Sequence, residues 1–319
     1  MIKGFWENLP KQFLALAPMY DVTDEAFRRI IARYGKPDVF YTEFVSTDGL
    51  QSAGRTKLAH HLWLSDIEHP IVAQVFGTKP EKYRETAKLV QELGFDGIDI
   101  NMGCPDKNIT KNGSCAALFK TPELAKQIVL ACKEGAPTLP VSVKIRIGDT
   151  IIDWREWILK LLEAQPAAIA IHLRTRKEMS KVPAHWELMP EIVQFIHDNT
   201  TPDTRPRIIG NGDIATPQEA QEKFAQSKCD GVMIGRGIFG NPWLFNSKRS
   251  SPEKSEKLAV LAEHIALYEE LYTNVKPFDI MKRHFKAYIN GFDGAAELRA
   301  LLYECKSGAE ALQVLREHK

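Results

Sequence analysis

A closed (β/α)8 barrel of the TIM type, an α/β fold, followed by a small C-terminal all-α helical domain is the architecture the sequence predicts, on three observations. Eight short β-type runs recur along most of the chain, segments with helical periodicity separate them, and no β signal follows the eighth run. The chain has 319 residues and 44% apolar content, enough to bury a core of this size.

The runs, in order, are LALAP (14–18), VFYTEF (39–44), IVAQVFG (71–77), GIDINMG (97–103), VSVKIRIG (141–148), AIAIHLRT (168–175), RIIGNGDI (207–214) and GVMIGRG (231–237). Eight is the number that closes such a barrel. Between the first two runs Phe27, Ile30, Ile31 and Tyr34 fall at i, i+3, i+4 and i+7, and Gly35 supplies a stop. Pro80 opens the next clear helix, Tyr83, Ala87 and Val90 mark its buried face, and Gly94 closes it. Thr216-Pro-Gln-Glu219 matches a capping box with proline at the first helical position. Segment 46–64 has sparse apolar residues and reads as an irregular loop before the WLS stretch. After the last run, GNPWLFNSKRSSPEKSEK marks a boundary near Lys248, which divides the chain into a barrel over 1–247 and a helical domain over 248–319. In that second part Leu258, Leu261, Ala262, Ile265 and Tyr268 share one helical face, and Met281, Phe285, Tyr288 and Ile289 another.

The 42 basic and 41 acidic residues nearly cancel, so any nucleic-acid contact must use a local patch. Five cysteines at 104, 115, 132, 229 and 305 form no C-x-x-C pair, which argues against a disulfide framework and a structural metal and for a reducing cytoplasm. No run of 18 apolar residues occurs and the start, MIKGFWENLP, lacks a signal-peptide core, so neither secretion nor a membrane partner is expected.

Side chains alternate along a strand, and a barrel strand turns one face to the helices and the other to the interior. In VSVKIRIG the apolar residues Val141, Val143, Ile145 and Ile147 share the helix side, leaving Ser142, Lys144 and Arg146 inside. By the same parity His172, Arg174, Gln74, Asn101 and Asn211 point inward toward the C-terminal ends of their strands. Burying a neutral polar group unpaired costs on the order of 2–7 kcal/mol, so five strands converging in this way imply a polar ligand at the top of the barrel. The glycine-rich GNGD (210–213) and GRG (235–237) follow the seventh and eighth runs, where backbone N–H groups of such barrels cradle a phosphate and Arg236 adds a bidentate contact. A phosphate at one end with Gln74, Lys144 and His172 at the other fits flavin mononucleotide (FMN), with Lys144 countering the charge of the reduced ring. A Schiff-base lysine of an aldolase is the alternative reading of Lys144.

The assembled motifs resemble those of the flavin-dependent tRNA-dihydrouridine synthases over nearly the whole chain. The resemblance rests on APMYDVTD (17–24), TEFV (42–45), QVFG (74–77), DINMGCPDKNITKNGSCAAL (99–118), VKIRIG (143–148), IHLRTR (171–176), NGDI (211–214) and MIGRGIFGNPWLF (233–245). It implies an FMN barrel with a helical tRNA-recognition domain, reducing the C5=C6 bond of selected uridines with NADPH, or NADH, as electron source. Carried over position by position, it puts Pro18, Met19 and Tyr20 at the flavin, Gln74, Lys144 and His172 around its ring, and Asn211, Gly212, Asp213, Gly235 and Arg236 on its phosphate side. Cys104 matches the family's proton donor. A thiol with a pKa of about 8.5 is mostly protonated at neutral pH and suits that task.

Cys115 stands where the family more often has Gly or Ala, and Pro183 and His185 depart from its Gly-x-Ala and Asp or Asn before Trp186. The base to be reduced must leave its stack, and Asn101 and Arg174, inward and near Cys104, are expected to hold it. The densest basic cluster of the tail, KRHFK, offers Lys282, Arg283 and Lys286 to tRNA phosphates. The protein is expected to act as a monomer. Reduction of a free pyrimidine, as by a dihydroorotate-type dehydrogenase, or of a uridine in ribosomal RNA are the alternatives.

Overall fold

A computed structural model describes residues 2–246 and 252–318. Its strands are β1 (Phe13–Leu16), β2 (Phe40–Tyr41), β3 (Val45–Ser46), β4 (Ile71–Phe76), β5 (Gly97–Met102), β6 (Val141–Arg146), β7 (Ala168–His172), β8 (Arg207–Asn211) and β9 (Gly231–Ile234). All pair in parallel in the order β1-β9-β8-β7-β6-β5-β4-β2, with β3 also on β4. The ring closes where Leu16 N donates to Val39 O at 3.0 Å and Ala15 bridges Val39 beside β2. This is the barrel the alternation of runs predicts.

The second run differs from its expected form. Thr42 Oγ1 accepts from Gln74 N at 3.0 Å and donates to Glu43 O at 2.7 Å, so a side chain replaces a ladder carbonyl and the strand splits into β2 and β3. The irregular loop expected over 46–64 is also corrected. Short helical turns cover Thr47–Leu50, Arg55–Leu58 and Ala59–Leu62, because Leu50 and Leu62 are buried and bring the segment against the core.

Strand parity separates two cores. Val141, Val143, Ile145, Ile169, Ile171 and Ile208 belong to the outer one, between strands and helices. The inner one holds Phe13, Ala15, Tyr41, Val72, Ala168, Ala170, Ile209 and Met233. Trp6, fully buried on the short turn Gly4–Glu7, belongs to this inner core, packs 5.9 Å from Phe13 and fills the N-terminal end of the barrel. Apolar packing there leaves the opposite end for polar residues.

Helices form where periodicity and caps agree. Glu25–Tyr34 is capped by Asp24, which accepts from Phe27 N, and Pro217–Ser227 by Thr216, which accepts from Glu219 N. Pro80–Glu92 starts on its proline and ends before Gly94, whose φ of +84° is the left-handed turn that favours glycine. The boundary expected near Lys248 lies outside the described residues. Beyond it Lys254–Tyr272, Lys282–Tyr288, Ala295–Glu304 and Gly308–Glu317 form an all-helical tail packed on the barrel helix Glu25–Tyr34. Among the described residues no helix is long and apolar enough to cross a membrane.

Candidate active site

At the C-terminal ends of the strands lies a cavity of about 640 Å³. Pro18, Met19, Gln74, Asn101, Cys104, Lys144, Arg146, His172, Arg174, Asn211, Gly212, Asp213, Gly235 and Arg236 all line it. Residues from seven strand ends or the loops after them therefore meet at one place, as strand parity implies. Tyr20 does not line it. Its ring is 48% exposed on the rim and leans on Phe44 and His61, with centroids 5.5 and 5.4 Å away.

The floor is cationic. Four basic side chains, Lys144, Arg146, Arg174 and Arg236, and a single carboxylate, Asp213, are among the lining residues. Lys144 Nζ donates to the neutral Asn211 Oδ1 at 3.1 Å, and Asn211 Nδ2 is in turn held by Met233 O at 2.8 Å. Burial, reinforced by Arg146, brings the Lys144 ammonium down to about 8. Burial and the four surrounding cations push His172 far below its ordinary range, so its imidazole is neutral. An anionic, phosphorylated ligand fits this field, since it supplies the negative charge the cavity lacks.

The loops after β8 and β9 form the polar wall. Gly212 has φ +134°, and a Cβ there would meet Ala184 Cβ at 2.6 Å. At Gly237 a Cβ would meet Ala215 Cα at 2.8 Å, so the two loops approach backbone to backbone and leave room for a bound group beside them. Asp213 ties the wall together: it pairs with Arg174, accepts from Arg236 Nη2 at 3.1 Å and accepts from Ala184 N at 2.8 Å.

Two residues expected to hold substrate are engaged elsewhere. Arg174 is 3% exposed and spends its guanidinium on Asp213, on Val182 O at 2.7 Å and on His172 Nε2 at 3.1 Å. Asn101 Oδ1 accepts from Gly103 N and Cys104 N at 3.1 and 2.9 Å. Arg146 braces the same loop, donating from Nε to Gly103 O at 2.7 Å and from Nη1 to Thr175 O at 3.0 Å. Cys104 is half-buried, and burial raises its thiol above the ordinary value, so it stays protonated at neutral pH. Cys115 is fully buried at the start of the turn Cys115–Lys120, and Ala116 N reaches Cys104 O at 3.3 Å. His185 closes the neighbouring loop between Glu178 and Glu187.

A model of the family described as "Dihydrouridine synthase (Dus)" matches residues 15–319. This chain belongs to the dihydrouridine synthase family. A probable tRNA-dihydrouridine synthase 2 of Bacillus subtilis is 43% identical over 318 residues, 99% of this chain and 96% of that protein. A probable tRNA-dihydrouridine synthase of Staphylococcus aureus is 42% identical over 320 residues, with the same coverage of 99% and 96%. Among solved structures, histamine dehydrogenase from Rhizobium sp. 4-9 aligns with TM-score 0.58 at 12% identity, covering 80% of this chain and 48% of that one. A 2-naphthoyl-CoA reductase aligns with TM-score 0.53 at 11% identity, covering 74% of this chain and 49% of that one. These two share the barrel fold with this dihydrouridine synthase.

The tail cations divide in the same way. Lys282 pairs with Asp279 at 2.7 Å, and Arg283, 52% exposed, pairs with Asp21 at 3.3 Å. Lys286 is exposed and makes no ion pair among the described residues. Sequence reasoning missed Lys276, whose buried ammonium sits 2.8 Å from Glu43 and 4.0 Å from both Asp21 and Asp24. Glu43 also accepts from Asp21 N at 2.6 Å and faces His61 at 3.2 Å. Burial works against the charge on Glu43, but His61 and Lys276 more than offset it and hold the carboxyl down to about 2. The tail thus fastens the loop that carries Pro18 and Met19.

Proposed function

We propose that this dihydrouridine synthase binds FMN in the barrel-top cavity and, with NADPH or NADH as reductant, saturates the C5=C6 bond of uridines in tRNA. The observation that carries the reading is a protonated, half-buried Cys104 thiol on the wall of an electropositive cavity that also presents Lys144 and a neutral His172. The family membership and the two curated relatives named for tRNA support the substrate.

Asn211, Gly212, Asp213, Gly235 and Arg236 would hold the phosphate side of the cofactor, and Pro18, Met19, Gln74, Lys144 and His172 its ring. When bound, the flavin supplies the hydride for uridine C6. Lys144 Nζ offsets negative charge at the cavity floor, and in a site closed off from water that interaction is stronger than in solvent. Cys104 Sγ–H gives its proton to C5 from the other side of the base. Asn101 holds the Cys104 backbone, and Arg174 orients Asp213 and His172. Tyr20, on the rim, is placed to meet RNA rather than the cofactor. The exposed Lys286 on the tail serves phosphates, which gives the helical part its role in tRNA recognition.

Two observations test this reading. The purified protein should carry a yellow chromophore that NADPH or NADH bleaches; a colourless preparation that takes up no FMN contradicts the cofactor. Mapping dihydrouridine by position in RNA from cells lacking the protein should show losses in tRNA, whereas losses confined to ribosomal RNA would move the substrate.

A further inference from the structure

From beneath the cavity floor to its lining, four polar side chains form one directed chain of hydrogen bonds. Asp99, fully buried on β5, accepts from Ser142 Oγ at 2.6 Å and from Gln74 Nε2 at 2.7 Å. With its nitrogen committed to Asp99, Gln74 turns its oxygen the other way, where Oε1 accepts from Asn101 Nδ2 at 3.1 Å. That leaves Asn101 Oδ1 for the loop, where it accepts from Gly103 N at 3.1 Å and from Cys104 N at 2.9 Å.

The two ends of a primary amide have nearly the same shape, so packing does not choose between its flips. An ionised carboxylate does choose, because it only accepts. Although burial raises the Asp99 carboxyl to about 6 against Ser142, Gln74 and Lys144, it is ionised at neutral pH. Facing Asp99, Gln74 must offer its NH2, and this choice fixes Asn101 in turn. The opposite flip of Asn101 would set an NH2 group against two backbone N–H donors, each then unpaired at a cost of about 1–3 kcal/mol.

We propose that Asp99 is a positioning residue for Cys104: its carboxylate sets the direction of the Gln74–Asn101 relay, and the relay holds the backbone at Gly103 and Cys104. The catalytic meaning of this relay rests on the role of Cys104 proposed above; the hydrogen-bond direction does not.

The test exchanges the charged end of the relay. Asn101→Asp alone places carboxylates at both ends of Gln74, whose single NH2 group can face only one of them. The repulsion should lower the thermal midpoint of the full chain and speed amide exchange in the peptide spanning 101–104 by about tenfold, the worth of one buried hydrogen bond. Adding Asp99→Asn runs the same relay backwards. The amide at position 99 donates to Gln74 Oε1, Gln74 Nε2 donates to the carboxylate at 101, and that carboxylate still accepts from Gly103 and Cys104.

The double variant should therefore be more stable than Asn101→Asp and exchange more slowly in that peptide, and its turnover on tRNA should exceed that of the single variant. A double variant whose losses equal or exceed the sum of the singles overturns the relay, as a merely structural Asp99 would give that result. If Asn101→Asp fails to fold, a folded double variant supports the relay; an unfolded double beside a folded Asp99→Asn overturns it. Stability and exchange need neither RNA nor cofactor. A failed rescue with dihydrouridine still formed by the unsubstituted protein sinks the relay alone, and a rescue with none formed sinks only the functional reading.

Discussion

The pKa values of Lys144 and Cys104 are shifted in opposite directions, each toward its proposed task. With the Lys144 ammonium brought down to about 8 by burial and by Arg146, its charge is present below that pH and lost above it. Cys104, raised by burial, remains a thiol through the same range. Turnover on tRNA should therefore fall as pH rises through about 8, and Lys144→Arg should move that alkaline limb upward; a profile flat to pH 10 in the unsubstituted protein would remove Lys144 from the reaction. Folding has the opposite slope. Between about 8 and the ordinary 10.5 the unfolded chain binds a proton that the folded one does not, so this residue makes stability rise with pH across that window. Strand parity made Lys144, Arg146, His172 and Asn211 legible in the sequence, because alternation needs no tertiary information. It also places Asp99 inward with Asn101. What parity could not supply is which way Gln74 and Asn101 turn their amides, since that depends on partners from neighbouring strands.

Elements built from local signals were legible, and elements built from distant partners were not. Proline starts, side-chain caps and glycine stops located Glu25–Tyr34, Pro80–Glu92 and Pro217–Ser227. The split between β2 and β3 depends on Thr42 meeting Gln74 N, and the helical turns of 46–64 depend on Leu50 and Leu62 reaching the core. The Lys276 strap was equally hidden, because its partners lie more than two hundred residues earlier. Lys276 is 4% exposed and Glu43 1% exposed. Lys276→Ala should destabilise the fold by up to about 3–5 kcal/mol, since it strips the buried Glu43 carboxylate of its ammonium and leaves it only His61 and Asp21 N. Lys276→Met with Glu43→Gln should cost much less, and denaturant unfolding of the variants measures both. A double variant whose loss equals the sum of the Lys276→Met and Glu43→Gln losses would show that the pair does not act as a unit.

The whole molecule divides its labour between two ends of one barrel. Trp6, Phe13 and the inner apolar residues fill one end, and the cationic cavity occupies the other. The eight-run alternation made this architecture legible, because a parallel sheet needs a helix after each strand. The proposed RNA face was legible only in part: KRHFK was visible as a cluster, but Asp279 and Asp21 engage two of its cations. With a net charge of only +1, tRNA affinity must come from local contacts. Lys286→Ala should weaken tRNA binding and lower the slope of log affinity against log salt by about 1, and an unchanged slope would take Lys286 out of the interface. The most direct test of the account is dihydrouridine measured by mass spectrometry in tRNA, lacking this modification, after incubation with the purified protein, FMN and NADPH. The unsubstituted protein should form it and Cys104→Ala should form it about 100-fold more slowly or worse, as expected when a general acid is removed; no dihydrouridine with the unsubstituted protein, or full activity in Cys104→Ala, would contradict the account.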